Sequence, residues 1–132
     1  MTPTIVVSAV AFVRDGAVLT VRKHGTDRFM LVGGKPEPGE APAHAAVRET
    51  REEVGLTVCD LTLLGEFESA AANEPGHRLH STVYTAELSG EPAPAAEIEE
   101  LRWVALDSTD SDLAPMLRDH VLPLLRTVNV AP

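Results

Sequence analysis

A chain of 132 residues is long enough for one domain burying roughly two thirds of its unfolded surface, and 44% apolar content is ordinary for a globular protein. A formal charge of -9 argues against a nucleic-acid polymer or an anionic membrane as the main partner, though not against a nucleotide, because bound divalent ions would reverse the sign locally. Cys59 is the only cysteine, so no internal disulfide forms, as in a reducing cytoplasm; no apolar run reaches the ~18 residues of a membrane span, and the N-terminus lacks the basic stretch of a signal peptide.

In chain order, Thr4 to Val13 is β-branched and apolar on both alternating faces, which predicts a central strand covered on both sides. Asp15-Gly16 is a hairpin-turn signal, and Ala17 to Arg22 is the returning strand. Lys23 to Arg28 reads as a polar loop and Phe29 to Val32 as a short strand. Further on, Thr57 to Phe67 is apolar enough for a strand broken near Cys59-Asp60, with Cys59 expected in the core. Glu68 to His77 carries a Pro-Gly turn signal. Arg78 to Leu88 alternates as a strand, with Leu79 and Val83 on one side and His80, Tyr84, Ala86 and Leu88 on the other. Ser89 to Ala96 is a Gly/Pro-rich loop, and Leu101 to Leu106 is a strand with the only tryptophan, Trp103. Leu113, Leu117, Val121, Leu124 and Leu125 recur at helical spacing, with Ser111 placed to cap the N-terminus and Pro115 in the first turn. Pro123 should kink or end that helix, and Val128 to Pro132 should be a loose tail. The sum is an α/β chain, a mixed sheet with a helix on each face.

The stretch from Gly34 to Leu56 organises the rest. Gly33 and Gly34 permit positive φ or a close backbone approach, and Pro36 and Pro38 stiffen the loop that follows. Pro42 suits the first turn of a helix and Gly55 the position just past its end, so a helix is predicted from about Pro42 to about Val54. On a wheel of ~100° per residue, Ala43, Ala46, Val47, Thr50 and Val54 form the core face, and Glu49, Glu52 and Glu53 fall together on the other side. Like charges three and four apart cost roughly 0.2–0.5 kcal/mol each, and the C-terminal end of the helix dipole disfavours anions by roughly 0.3–1 kcal/mol each. Arg48 and Arg51 offset this only in part. Clustered acid at that end is explained if a cation belongs there, and oxygen ligands suit Mg²⁺ or Mn²⁺.

The same stretch resembles the Nudix box, G-x5-E-x7-R-E-U-x-E-E-x-G-U, where U is a bulky apolar residue. Gly34, Glu40, Arg48, Glu49, Glu52, Glu53 and Gly55 stand at its fixed positions. Thr50 departs from the pattern, as does Val32, where many relatives have proline. The resemblance implies a MutT-like Nudix hydrolase: an α/β/α sandwich, with residues 1–132 as a single domain, that uses Mg²⁺ (or Mn²⁺) to activate water against the diphosphate of a nucleoside triphosphate or a nucleoside-diphosphate-linked substrate.

Carried over by position, the resemblance makes Glu49, Glu52 and Glu53 metal ligands, helped by the Gly34 carbonyl. Arg48 orients the carboxylates and Glu40 supports from outside the ligand set. Glu53 or Glu49 would take the water's proton; the alternative is an acid from the later loop, Glu97, Glu99 or Glu100, and which of the three matches the family's extra glutamate stays open. Arg22 resembles a phosphate-holding position, Lys35 stands within reach of phosphate, and Asn73 lies in a loop suited to base or sugar contacts. A homodimer is common in the family. The competing readings are a non-catalytic Nudix-like nucleotide-binding regulatory module, and an acidic interaction domain whose charges are only surface.

Overall fold

In the computed structural model, which describes residues 3–72 and 74–128, the sheet is built around a splayed hairpin. Strands β1 (Thr4–Arg14) and β2 (Ala17–Lys23) pair only beside their turn, at Val13↔Val18 and Arg14↔Ala17. That turn takes positive φ at both central residues, 53° at Asp15 and 76° at Gly16, the type I′ geometry whose twist matches the flanking strands. Into the opening runs β3 (Met30–Gly34). It pairs with β2 through Leu31 and Met30, then with β1 through Val32, Gly33 and Gly34. Gly33 cannot be larger, because a Cβ there would overlap the Ser8 carbonyl oxygen and approach Ala9 Cα to 2.7 Å.

Strands β4 (Thr62–Ala70), β5 (Arg78–Ala86) and β6 (Ile98–Ala105) complete a mixed six-stranded sheet of order β4-β5-β1-β3-β2-β6, in which only the β1–β5 pair is parallel. β1 is therefore central, as its unbroken apolar run predicts, while β4 starts later than expected, at Thr62. Residues 56–61 form no strand: Val58 turns into the core and Cys59 is exposed, not a core thiol.

Helix α1 (Pro42–Val54) has the predicted bounds. Pro42 opens it without a side-chain cap, and Gly55, in the left-handed conformation, closes it by donating to the Arg51 carbonyl at 3.1 Å. Val54 and Ala46 pack on Val10, Phe12, Leu19, Val21 and Val32 of the sheet. The opposite face is covered by a C-terminal helix, a π-helical turn at Leu117–Val121 running into α2 (Leu122–Val128), whose Leu117, Val121, Leu122 and Leu125 meet Ala9, Ala11, Val18 and Val83. Burying each such leucine contributes about 1.5–3 kcal/mol.

The helical residues begin at Pro115, so Ser111 is not its cap. Nor does Pro123 end it: Leu122 donates five residues back to Leu117, and this widened turn just before the proline lets the helix continue. The predicted tail falls largely on residues 129–132, outside the described residues. Among the described residues no helix is long and apolar enough to cross a membrane.

Candidate active site

The three box carboxylates do not share one solvent face. The sheet-facing side of α1 consists of Ala45, Ala46, Glu49, Thr50, Glu53 and Val54, so Glu53 is 1% exposed and Glu49 9% exposed. Ala43 and Val47, expected on the core face, are only half-buried. Glu52 alone remains outside, with half its side chain exposed. The wheel failed because it sends charge to solvent by default; here Ala45 and Ala46 bring the helix close, Gly34 leaves room for Glu49, and the Gly33 backbone N–H receives Glu53.

Each buried acid has a distinct environment. Glu53 Oε1 accepts the Gly33 backbone N–H at 3.0 Å, whereas its Oε2 is buried with no hydrogen-bond partner. Burial pushes this carboxyl up to about 8; the Gly33 N–H and Lys23 pull it down, against Glu49 and Glu97, which raise it further. Glu49 lies against the backbone of Gly34, where a Cβ would overlap its carboxylate. Burial raises Glu49 as well, against the hydrogen bond from Arg48.

Arg48 is the hub of the loop. It grips Glu40 with Nε at 2.9 Å and Nη2 at 2.8 Å, and Nη2 also donates to the Lys35 carbonyl at 3.1 Å. Its Nη1 donates to Glu49 at 3.1 Å and to Glu52 at 3.3 Å. The fork holds the Glu40 carboxyl down at about 2, helped by the Glu37 N–H, which donates to Glu40 at 2.9 Å. Glu40 thus fixes the arginine, and the arginine ties the glycine loop to the acids.

A cleft of about 530 Å³ opens beside these groups, within the range of small-molecule sites. One end is polar, lined by Lys23, Gly33, Gly34, Lys35, Glu49 and Glu97. The other runs under the C-terminal helix and is mostly apolar, with Val7, Leu79, Met116 and Leu117 around the hydroxyl-bearing Ser81. Glu53 and Glu52 do not line it.

Arg22 does not line it either. Its guanidinium pairs with Glu100 at 3.2 Å, donates to the Thr26 carbonyl at 2.9 Å and lies 5.9 Å from the Phe29 ring. The next residue, Lys23, projects from the other side of β2 into the cleft and meets Glu97 at 3.4 Å. Sequence reasoning passed over Lys23, although strand alternation separates the two basic neighbours. The acids expected in the later loop are sorted in the same way: Glu99 and Glu100 lie in β6, not in a loop, and meet His24 at 2.8 Å and Arg22, while Glu97, just before the strand, alone of the three lines the cleft. Asn73 lies outside the described residues.

The donor set fits a hard divalent cation. Glu53 offers an unpartnered buried oxygen, and Gly34 provides a backbone cradle that a side chain would fill. As the side chains stand, the Arg48 guanidinium bridges Glu49 and Glu52, and among the described residues no three acidic, histidine or cysteine side chains converge on one point.

The NUDIX domain model matches residues 2–125. The chain belongs to the Nudix family. Its enzymatic class is that of the Nudix pyrophosphohydrolases, which act on nucleotide diphosphate linkages. It is 33% identical over 129 residues to a putative 8-oxo-dGTP diphosphatase 2 of Mycobacterium tuberculosis, covering 94% of this chain and 90% of that one. It is 45% identical over 51 residues to an RNA pyrophosphohydrolase of Halorhodospira halophila, but that match spans 39% of this chain and only 28% of the relative. Among solved structures it is similar to a MutT NUDIX hydrolase of Burkholderia pseudomallei, with 30% identity, a TM-score of 0.75, and 95% and 98% of the two chains covered.

Proposed function

We propose that this Nudix enzyme, residues 1–132 acting as one domain, cleaves the diphosphate linkage of a nucleoside triphosphate or a nucleoside-diphosphate-linked compound with Mg²⁺ or Mn²⁺. The unpartnered, buried Oε2 of Glu53 is the observation that carries the reading. A buried carboxylate oxygen without a partner calls for one that the chain does not supply, and a hard cation beside a glycine backbone meets that need. Glu49, Glu52 and Glu53 hold the cation, with the Gly34 carbonyl. When bound, the cation neutralises charge on the phosphates and lowers the pKa of water.

The rest of the chemistry belongs to the chain's own groups. Glu49 lines the cleft and its carboxyl is raised by burial, so we assign it the proton of the attacking water; Glu53 lies too deep for that task. Arg48, anchored by Glu40, keeps Glu49 and Glu52 oriented. Lys23 and Lys35 meet the phosphates, and Glu97 takes the part of the family's later-loop acid. Arg22 and Asn73 keep weaker claims as substrate contacts.

The near full-length likeness to a putative 8-oxo-dGTP diphosphatase favours a deoxynucleoside triphosphate. A homodimer and a cytoplasmic location complete the proposal, with the exposed single thiol of Cys59 suited to a reducing compartment.

The test is a nucleotide panel with Mg²⁺, read by product identity. A monophosphate plus pyrophosphate marks a triphosphate as substrate; two monophosphates mark a sugar nucleotide or dinucleotide. EDTA should abolish turnover. Saturable binding without products would replace the enzyme mechanism with the binding-module reading.

A further inference from the structure

A second buried polar atom lies beside this site and has no role in the reading above. Ser8, in the middle of β1, is 1% exposed, and its Oγ has no hydrogen-bond partner. Its neighbours on the same side of the strand, Val10 and Phe12, belong to the core layer under α1, so the Ser8 side chain faces that helix as well.

The register shows what it faces there. Ser8 stands directly opposite Gly34 in the β1–β3 ladder, and directly opposed residues present their side-chain positions to the same face, roughly 4.5–5.5 Å apart. The Gly34 side-chain position is the one occupied by the Glu49 carboxylate. The Ser8 hydroxyl and the Glu49 carboxylate are thus neighbours across an absent side chain. On the other flank of Ser8, the parallel partner is Thr82 of β5.

A strand between two apolar layers has no structural need for a hydroxyl, and an unpartnered one is destabilising because its hydration is lost without return. Alanine would fill the position with less penalty. We propose that Ser8 is a positioning residue: its hydroxyl donates to the Glu49 carboxylate when Glu49 holds the divalent cation. The inference rests on the reading of Glu49 as a ligand. It assigns to Ser8 a contact that the side chains as they stand do not make, and it accounts for the orphaned hydroxyl as they stand now.

The experiment compares wild type, Ser8→Ala and Ser8→Thr as full chains freed of metal. Two quantities are read: thermal stability without metal, and Mn²⁺ affinity by titration calorimetry. Ser8→Ala is expected to have a metal-free Tm equal to or above that of wild type, and a Mn²⁺ Kd raised about five- to tenfold. Steady-state kinetics should show a lower kcat at an unchanged nucleotide KM. Ser8→Thr, which keeps the hydroxyl, should hold Mn²⁺ within about twofold of wild type. An unchanged Kd in Ser8→Ala overturns the proposal. So does a lowered metal-free Tm, with or without weaker binding, since the hydroxyl would then serve the fold. Wild-type protein that binds no Mn²⁺ would instead remove the metal reading itself, a distinct result.

Discussion

The Gly33 backbone N–H and the Glu53 carboxylate meet at 3.0 Å, and this bond spends one carboxylate oxygen while leaving the other buried and bare. The arrangement makes stability depend on pH. Glu53 has a folded pKa of about 8 against an ordinary value of 4.5. An acid raised on folding favours the native state below the ordinary pKa and loses that advantage as pH climbs through the folded one. The span corresponds to on the order of 5 kcal/mol. Metal-free protein, unfolded with urea from pH 5 to 9, should therefore weaken steadily up to about pH 8. Glu53→Gln should flatten the curve, and Mg²⁺ should restore wild-type stability at pH 8. The same variant should lose activity at least a hundredfold. A flat wild-type curve would mean that Glu53 is not held neutral by burial.

The two glycines of β3 predict opposite phenotypes. At Gly33 a new Cβ meets backbone, the Ser8 carbonyl and Ala9 Cα, which can move only with the strand. Overpacking of that kind costs about 1–3 kcal/mol. At Gly34 it meets the Glu49 carboxylate, the free end of a flexible side chain. Gly33→Ala should lower Tm by several degrees. Gly34→Ala should fold nearly as well as wild type, yet bind Mn²⁺ weakly and turn over poorly, because Glu49 has been pushed aside. Equal loss of stability in both would show that Gly34 answers to packing rather than to the acid.

Arg48 donates hydrogen bonds to four groups, Glu40, Glu49, Glu52 and the Lys35 carbonyl, and only a planar fork serves them together. Arg48→Lys should therefore be far from conservative, with kcat reduced at least tenfold and more Mg²⁺ needed for half-maximal rate. Glu40→Gln should move the same two quantities in the same direction, because the arginine loses its anchor. A Glu40→Gln enzyme with wild-type Mg²⁺ dependence would show that Glu40 acts on the loop alone.

Much of this was legible in the residues, for reasons that can be named. The limits of α1 follow from Pro42 and Gly55, which act locally, and the Asp15-Gly16 turn from its demand for positive φ. Six strand regions are also visible as apolar runs, although β4 starts later than its run because Val58 and Leu61 are apolar without being in a strand, and β6 starts earlier, at Ile98, because Glu99 and Glu100 are acidic within one. What stayed hidden depends on the partner surface. Nothing along the helix says that Glu49 and Glu53 turn inward; that follows from another element, where the absent side chain of Gly34 leaves room for Glu49 and the Gly33 backbone N–H meets Glu53. Nor does composition tell Glu97 from Glu99 and Glu100, since the bulge at Arg22/Lys23 sets the local register between β2 and β6.

That bulge leads to the sharpest comparison, between adjacent basic residues. Arg22 is held on the Phe29 side of β2 by Glu100 and the Thr26 carbonyl, over the Phe29 ring. Lys23 faces the polar end of the cleft beside Glu97 and acts on the charge of both Glu49 and Glu53. If phosphate is met by the group that lines the cleft, Lys23→Met should raise the nucleotide KM about tenfold or more, with Tm nearly unchanged, since exposed ion pairs contribute about 0–1 kcal/mol. Arg22→Met should leave KM within about twofold and act on stability, through lost packing on Phe29. Charge reversal sharpens the contrast: Lys23→Glu should nearly abolish turnover by crowding Glu49 and Glu97 with a third anion, whereas Arg22→Glu should damage the β2–β6 edge without that selectivity. Steady-state kinetics and melting curves on the four variants decide the matter, and a raised KM confined to Arg22→Met would return the phosphate contact to the residue the sequence first suggested.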